Sequence, residues 1–164
     1  MKALPGLDTR PTPDRLRETL FNILTPRIAD CVFLDAYAGT GAVGIEALSR
    51  GARRAIFVDR ACGAAEIIRE NLRTLGIESR AEVYTGKALT ILERLTADIV
   101  FLDPPYEREI EYTEALQLLG AKELGGLVIA QHHSKLTLDD QYGHLRKVRT
   151  VKQGDNVLCF YEPA

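Results

Sequence analysis

Short apolar runs rich in β-branched and aromatic residues alternate along the chain with segments whose apolar positions recur every three to four residues. The first kind predicts strands at 31–37 (CVFLDAY), 55–59 (AIFVD), 81–85 (AEVYT), 98–103 (DIVFLD), 125–132 (GGLVIAQH), 145–152 (LRKVRTVK) and 156–162 (NVLCFYE). The second predicts helices near 42–50, 61–75, 87–95 and 109–119. Strands that alternate with helices of this length require right-handed crossovers and a mainly parallel sheet with helices on both faces. The last two strands break the rhythm. Only QGDN (153–156) separates them, too little for a crossover, so they pair as a hairpin and put one antiparallel strand into a seven-stranded sheet. Ahead of the sheet, RPTPDRLRETLFNIL (10–24) predicts a helix over about 12–25. Thr12 is its N-cap, Pro13 its first helical residue and Asp14 lies in its first turn, while Leu16, Leu20, Phe21 and Leu24 share one face.

Composition narrows the class. The 164 residues, 46% of them hydrophobic, suit a single domain spanning 1–164, and no linker, repeat or low-complexity tract divides them. With 21 basic and 23 acidic residues the formal charge is −2, so any surface that meets nucleic acid has to be local. Cys31, Cys62 and Cys159 are odd in number and lack C-x-x-C spacing, which signals neither a disulfide framework nor a zinc site; Cys31 and Cys159 sit in apolar runs and are expected in the core. No apolar segment reaches the roughly 20 residues of a membrane helix, and the N-terminus has no signal-peptide pattern, so a cytoplasmic protein is expected.

In open sheets of this kind ligands bind beyond the carboxyl ends of the strands, near the point where strand order reverses. The first predicted strand runs into DAYAGTGAVG (35–44), where Gly39, Gly41 and Gly44 match G-x-G-x-x-G and permit tight turning and close approach to a ligand. The second ends in Asp59, 24 residues after Asp35, near the spacing at which an acid accepts from ribose hydroxyls. Together they point to a cofactor containing a nucleoside. Asp35 stands four residues before the first glycine, where its charge would repel the pyrophosphate of a nicotinamide or flavin dinucleotide and attract a cation. S-adenosyl-L-methionine, with a cationic methionyl end and a ribose, suits both acids better than a dinucleotide does.

The fourth strand delivers FLDPPY (101–106) to the same edge. Pro104 and Pro105 have no backbone N–H and hold the residues before them extended, so Asp103 and the adjoining carbonyls form a stiff set of acceptors. An amine or amide nitrogen conjugated to a ring or carbonyl is a poor nucleophile. If Asp103 and the Pro104 carbonyl accept its two hydrogens, its lone pair is aimed and the positive charge growing on it is stabilised. Tyr106 can stack on a base, a contact worth roughly 1–3 kcal/mol. The bland alternative is a strand-ending turn, which Asp-Pro and Pro-Pro commonly make; the glycine turn and Asp59 weigh against it.

These residues carry a resemblance. GLDTRPTPDRLRETLFNIL (6–24), FLDAYAGTGAVGIEALSRGA (33–52), DIVFLDPPY (98–106) and QGDNVLCFYEP (153–163) are similar to the class I, Rossmann-like S-adenosylmethionine-dependent methyltransferases, and specifically to the bacterial RsmD family, which methylates the exocyclic N2 of a guanine in 16S ribosomal RNA. The resemblance implies the class I strand order with an antiparallel seventh strand. It implies that Asp35, Tyr37, Ala38, Gly39, Thr40 and Gly41 line the methionine end of the cofactor, that Asp59 holds the ribose, and that Arg60 borders the adenine. Lys87 and Ala88 occupy the place where the family often has an Asp or Asn accepting from the adenine amine; Lys87 cannot accept, so that contact passes to a backbone carbonyl or water. Asp103, Pro104, Pro105 and Tyr106 receive the guanine, and Arg10 and Thr12 lie near the cofactor and the RNA path. The family usually opens with a basic β-hairpin ahead of the position of Met1, so part of the RNA-binding surface is expected to be absent. A monomer acting on 16S rRNA within a small-subunit assembly intermediate is the expectation.

Other polar clusters have plainer readings. His132 and His133 point to opposite faces without an accompanying ligand cluster, so no metal is expected. Arg50, Arg53 and Arg54 suit a solvated helix end as well as a phosphate contact, and Glu66, Arg69 and Glu70 a wet helix face. Regular alternation in LRKVRTVK places Arg146 with Lys152 and Lys147 with Arg149, which makes no one-sided patch. Two further functions use similar acceptor motifs or the same fold: a DNA adenine-N6 or protein glutamine methyltransferase, against which stands the lack of room for a target-recognition domain, and a nucleotide- or RNA-binding module without catalysis, against which stands the intact DPPY.

Overall fold

The computed structural model describes residues 14–105, 108–122 and 126–164. In chain order the elements are α1 (Asp14–Ile28), β1 (Val32–Asp35), α2 (Ala42–Ser49), β2 (Arg54–Asp59), α3 (Cys62–Thr74), β3 (Ala81–Thr85), α4 (Ala88–Leu92), β4 (Ile99–Leu102), α5 (Glu109–Ala121), β5 (Leu127–His133), β6 (Gln141–Tyr142), β7 (Leu145–Gln153) and β8 (Asn156–Pro163). The proposed N-cap Thr12 and first-turn Pro13 lie outside the described residues. At its other end α1 runs past the expected stop, carrying Pro26 inside its last turn. A proline there forfeits a hydrogen bond only to the carbonyl four residues back, and the helix is held by burial of Leu16, Leu20, Phe21, Leu24 and Ile28, each worth about 1.5–3 kcal/mol when fully withdrawn from water.

All eight strands join one sheet in the order β3-β2-β1-β4-β5-β8-β7-β6. The pairs β3·β2, β2·β1, β1·β4 and β4·β5 are parallel, as the strand–helix alternation requires. The expectation of seven strands with one reversed needs correcting. β8 runs against β5, β7 runs against β8, and the two-residue β6 runs against β7, so the sheet has eight strands of which β6 and β8 are reversed. A two-residue strand leaves no periodicity to read. It exists because the chain turns at Gly143, φ 58°, with the backbone of Gly120 on α5 so close that His144 N–H donates to the Gly120 carbonyl at 2.8 Å. The QGDN hairpin forms as expected, with Gln153 opposite Asn156.

Strand alternation divides the core. Phe33, Phe57, Phe101, Ile129, Leu158 and Phe160 face one side and pack with α1, α2 and α3. Leu34, Ile56, Val58, Val100, Val128 and Tyr161 face the other and pack with α4 and α5. Cys31 and Cys159 are buried in these layers and Cys62 is exposed. The basic strand departs from regular alternation: the register slips between Lys147 and Arg149, so Val148 is an extra, bulged residue. Past the bulge every side chain changes face. Arg149 therefore joins Arg146 on the α1 side, and Lys147 joins Lys152 on the other, where Lys147 lies 6.0 Å from the centre of the Tyr161 ring. Among the described residues no helix is long and apolar enough to cross a membrane.

Candidate active site

Strand order reverses between β1 and β4: the chain leaves β1 for β2 on one side and β4 for β5 on the other. Crevices at such reversals are where open α/β sheets bind ligands. Register sets what lines this one. Asp35 pairs with Phe57 and with Phe101, so Asp59 and Asp103 each stand two residues beyond it on the neighbouring strands. A two-residue step keeps the same face. Three carboxylates thus gather on the α2 side of the carboxyl edge.

Their environments differ. Asp35 is buried, 2% exposed, and accepts a hydrogen bond from Gly44 N–H at 3.2 Å. Burial pushes its carboxyl up to about 7; the Gly44 bond pulls the other way, and the charges of Asp103 and Asp59 add to the rise. Such a group favours a cationic neighbour. Asp59 is half-buried and organises the glycine turn: Gly39 N–H donates to its Oδ2 and Ala61 N–H to its Oδ1, both at 2.9 Å. Each oxygen keeps a lone pair for a further donor. The turn itself runs through Gly39 and Gly41 at φ 57° and 87°, values that favour glycine. Gly44 answers a different need, because a Cβ there would stand 2.8 Å from Phe57 Cζ and closer still to Cε1, so α2 can lie this close to β2 only without one.

Tyr37, Gly39 and Thr40 line the turn partly exposed, and Ala38 and Gly41 are buried in it. Arg60 and Lys87 are exposed at the ends of β2 and β3, with Ala88 buried beside Lys87 at the start of α4. After β4, Asp103 is half-buried, Pro104 buried and Pro105 exposed, and the Pro105 carbonyl accepts from Arg108 N–H at 3.0 Å. Arg10, Thr12 and Tyr106 lie outside the described residues. Of the histidines, His132 is buried against Cys159 Sγ at 3.3 Å, and His133 Nδ1 accepts from Lys135 N–H at 3.1 Å. Among the described residues no group of three His, Cys, Asp or Glu is placed to hold a metal ion.

Two supports escaped sequence reasoning. Asn71 of α3 donates from Nδ2 to the Thr40 carbonyl at 3.1 Å and so fixes the glycine turn from behind; its one signal is a polar side chain on an otherwise apolar helix face. Tyr37 Oη donates to Glu111 Oε2 across the crevice, and Glu111 also pairs with Arg108 at 3.4 Å. That bond ties the loop after β1 to the segment after β4. Burial, then the Glu111 carboxylate, hold the Tyr37 phenol above its ordinary range.

A buried acid at a glycine turn, a second acid at the ribose spacing and an Asp-Pro-Pro acceptor set form one crevice. The model of the family described as conserved hypothetical protein 95 matches residues 1–162. The chain belongs to this family, the RsmD family. It is 34% identical over 99% of its length to the Bacillus subtilis protein named "Putative rRNA methyltransferase YlbH", of which it covers 92%. It is 43% identical over 70% of its length to ribosomal RNA small subunit methyltransferase D of Escherichia coli, and there the match takes in 57% of the relative. Among solved structures, the "Putative methyltransferase yhhF" of Escherichia coli superposes with a TM-score of 0.84 at 32% identity, covering 99% of this chain and 91% of that one. An RNA methyltransferase from Salinibacter ruber in complex with S-adenosyl-L-homocysteine shares the fold at 17% identity, with a TM-score of 0.71, over 94% of each chain. The RsmD-family chain is therefore an α/β methyltransferase fold with its polar chemistry gathered at the β1–β4 crevice.

Proposed function

We propose that this protein transfers a methyl group from S-adenosyl-L-methionine to the exocyclic N2 of a guanine in 16S ribosomal RNA, as a cytoplasmic monomer whose 164 residues act as one methyltransferase unit. The observation that carries the reading is the convergence of Asp35, Asp59 and Asp103 on one face of the β1–β4 crevice. The fit to the cofactor rests on charge and room: a buried carboxylate favours a cation and disfavours pyrophosphate, and a Cβ built on Gly39 would meet nothing within 4 Å, so the turn is open to a ligand. Asp35 and the turn from Tyr37 to Gly41 hold the methionyl end, Asp59 the ribose, and Arg60, Lys87 and Ala88 border the adenine. When bound, S-adenosyl-L-methionine supplies an electrophilic methyl on a sulfonium.

The chain's own contribution is to make a weak nucleophile point and react. The N2 lone pair of guanine is delocalised into the ring. Asp103 and the Pro104 carbonyl accept its two hydrogens, which turns the lone pair toward the methyl and stabilises the charge that grows on nitrogen. Tyr106 stacks on the base, and Arg10 and Thr12 border the RNA path. The net charge of −2 leaves little nonspecific phosphate attraction, so a partly assembled small subunit, which presents one splayed guanine and adds protein contacts, is the substrate.

Tritium transfer from labelled cofactor tests this on naked 16S RNA, a short oligonucleotide and small subunits lacking the mark, at one salt concentration. The subunits are expected to be the best substrate, with N2-methylguanine found by mass spectrometry. Turnover should fall from wild type to Asp103→Asn and again to Asp103→Ala, with cofactor affinity changed less. Tight NAD binding, a methyl on adenine, or full activity in Asp103→Ala would overturn the reading.

A further inference from the structure

Gln131 lies in β5, 3% exposed, and its Oε1 is, among the described residues, the buried side-chain polar atom with no hydrogen-bond partner. An orphaned buried acceptor carries a desolvation penalty, and sites that keep one commonly use it. Its position says for what. Leu102 of β4 pairs with Ala130 of β5, so Gln131 stands level with Asp103 on the adjacent strand, about 4.8 Å away in the hydrogen-bonding direction. Alternation puts it on the same face: Ile129 and Leu158, which pairs with Gln131, belong to the α1 side, as does Phe101, two residues before Asp103. Asp59, Asp35, Asp103 and Gln131 therefore form a row across β2, β1, β4 and β5 at one edge of the sheet. The backbone under Gln131 is fixed from the opposite face, where Tyr112 Oη donates to the Gln131 carbonyl at 2.5 Å.

For a base whose amine is received by Asp103 and Pro104 and whose Watson–Crick edge faces β5, the adjoining ring nitrogen is set against Gln131. In guanine the carbon bearing the N2 amine lies between N3 and N1, and N1, on the Watson–Crick edge, carries a hydrogen. In adenine the atom beside the N6 amine is N1 without a hydrogen, an acceptor. We propose that Gln131 Oε1 accepts the N1–H of the target guanine and is the residue that selects guanine over adenine at this site. Guanine completes the orphan's hydrogen bond; adenine sets two lone pairs against each other with no water to separate them. This inference rests on the guanine-N2 reading and adds to it a base-reading residue outside the Asp-Pro-Pro-Tyr segment.

The test uses the full chain and 2-aminopurine, which keeps the N2 amine of guanine and lacks the N1 hydrogen. Small subunits are reconstituted with 16S RNA carrying guanine or 2-aminopurine at the methylated position. Wild type should prefer guanine by about 10- to 100-fold in kcat/KM. Gln131→Met, close in shape and without the oxygen, should bring that ratio near one, while Gln131→Glu, which keeps an acceptor, should retain most of it. Because Met removes an unpaired buried acceptor, Gln131→Met should also melt about 2–4 °C higher than wild type. Equal wild-type rates on the two bases, or a Met variant that loses rate on both alike and melts lower, would show a purely structural glutamine and leave the guanine-N2 reading standing. If wild type methylates adenine and not guanine, both that reading and this subsite fall.

Discussion

Replacing Asp35 by Asn should make the cofactor-free protein more stable, and by an amount that depends on pH in a defined direction. The Asp35 carboxyl is buried and held at about 7 against a reference of 3.8, chiefly by desolvation. Below pH 3.8 the folded and unfolded chains both hold its proton and the group contributes nothing to the pH dependence. Between 3.8 and about 7 the folded protein keeps a proton that the unfolded chain has released, so stability falls as pH rises, by about 1.4 kcal/mol per unit. Above about 7 the loss is complete, on the order of 4 kcal/mol for a shift of this size. An asparagine side chain is neutral at every pH and can still accept from Gly44 N–H, so it escapes the loss. The two proteins should melt within about 2–4 °C of each other near pH 4.5 and separate progressively to about pH 8, where the Asp35→Asn variant melts about 10 °C higher, at roughly 2–4 °C per kcal/mol for a chain of this size. Thermal unfolding of both from about pH 4.5 to 8.5 measures this, titrations remote from the Asp35–Asp59–Asp103 cluster cancelling in the difference. Parallel curves would refute the buried-acid account. The same variant should bind S-adenosyl-L-methionine more weakly, since the stability forgone at neutral pH is what a cation at this place recovers.

Two further changes separate binding from scaffolding. Asp59→Ala removes the acceptor of Gly39 N–H and Ala61 N–H as well as the proposed ribose contact, so calorimetry should show cofactor affinity lower by roughly 1–3 kcal/mol, with a lower melting temperature besides; unchanged affinity would remove Asp59 from the cofactor site. Gly44→Ala drives a methyl into the Phe57 ring, 2.8 Å from Cζ, and denaturant unfolding should show a loss of about 1–3 kcal/mol from overpacking, which Phe57→Leu in the same chain should partly restore.

The parallel half of this protein could be read from its sequence because each signal there is local. A strand followed by about ten to fifteen residues of helical periodicity leaves no topology but a crossover, and Gly39, Gly41, Asp59 and Asp103 lie at or within a few residues of the carboxyl ends of their strands, so knowing the strands nearly places the residues. The antiparallel half resisted for the opposite reason. β6 is two residues long and depends on the contact between Gly120 and Gly143, which lie far apart along the chain, and the bulge at Val148, which moves Arg149 to the α1 face, arises from pairing with β8 and not from anything in LRKVRTVK. Within the crevice the same division holds. Sequence spacing marked three acids as separate ligands for a cofactor and a base; only the register of β2, β1 and β4 set them side by side, and only the packed structure supplies the burial that raises the Asp35 carboxyl and the neighbouring charges that add to the rise. Tyr37 with Glu111, Asn71 with Thr40, and Gln131 level with Asp103 are likewise meetings of distant segments. The chain by itself determined which side chains stand at strand ends; the packing of strands from far along the sequence decided their neighbours, because charge, desolvation and hydrogen bonding act across a few ångströms of space whatever the separation along the chain.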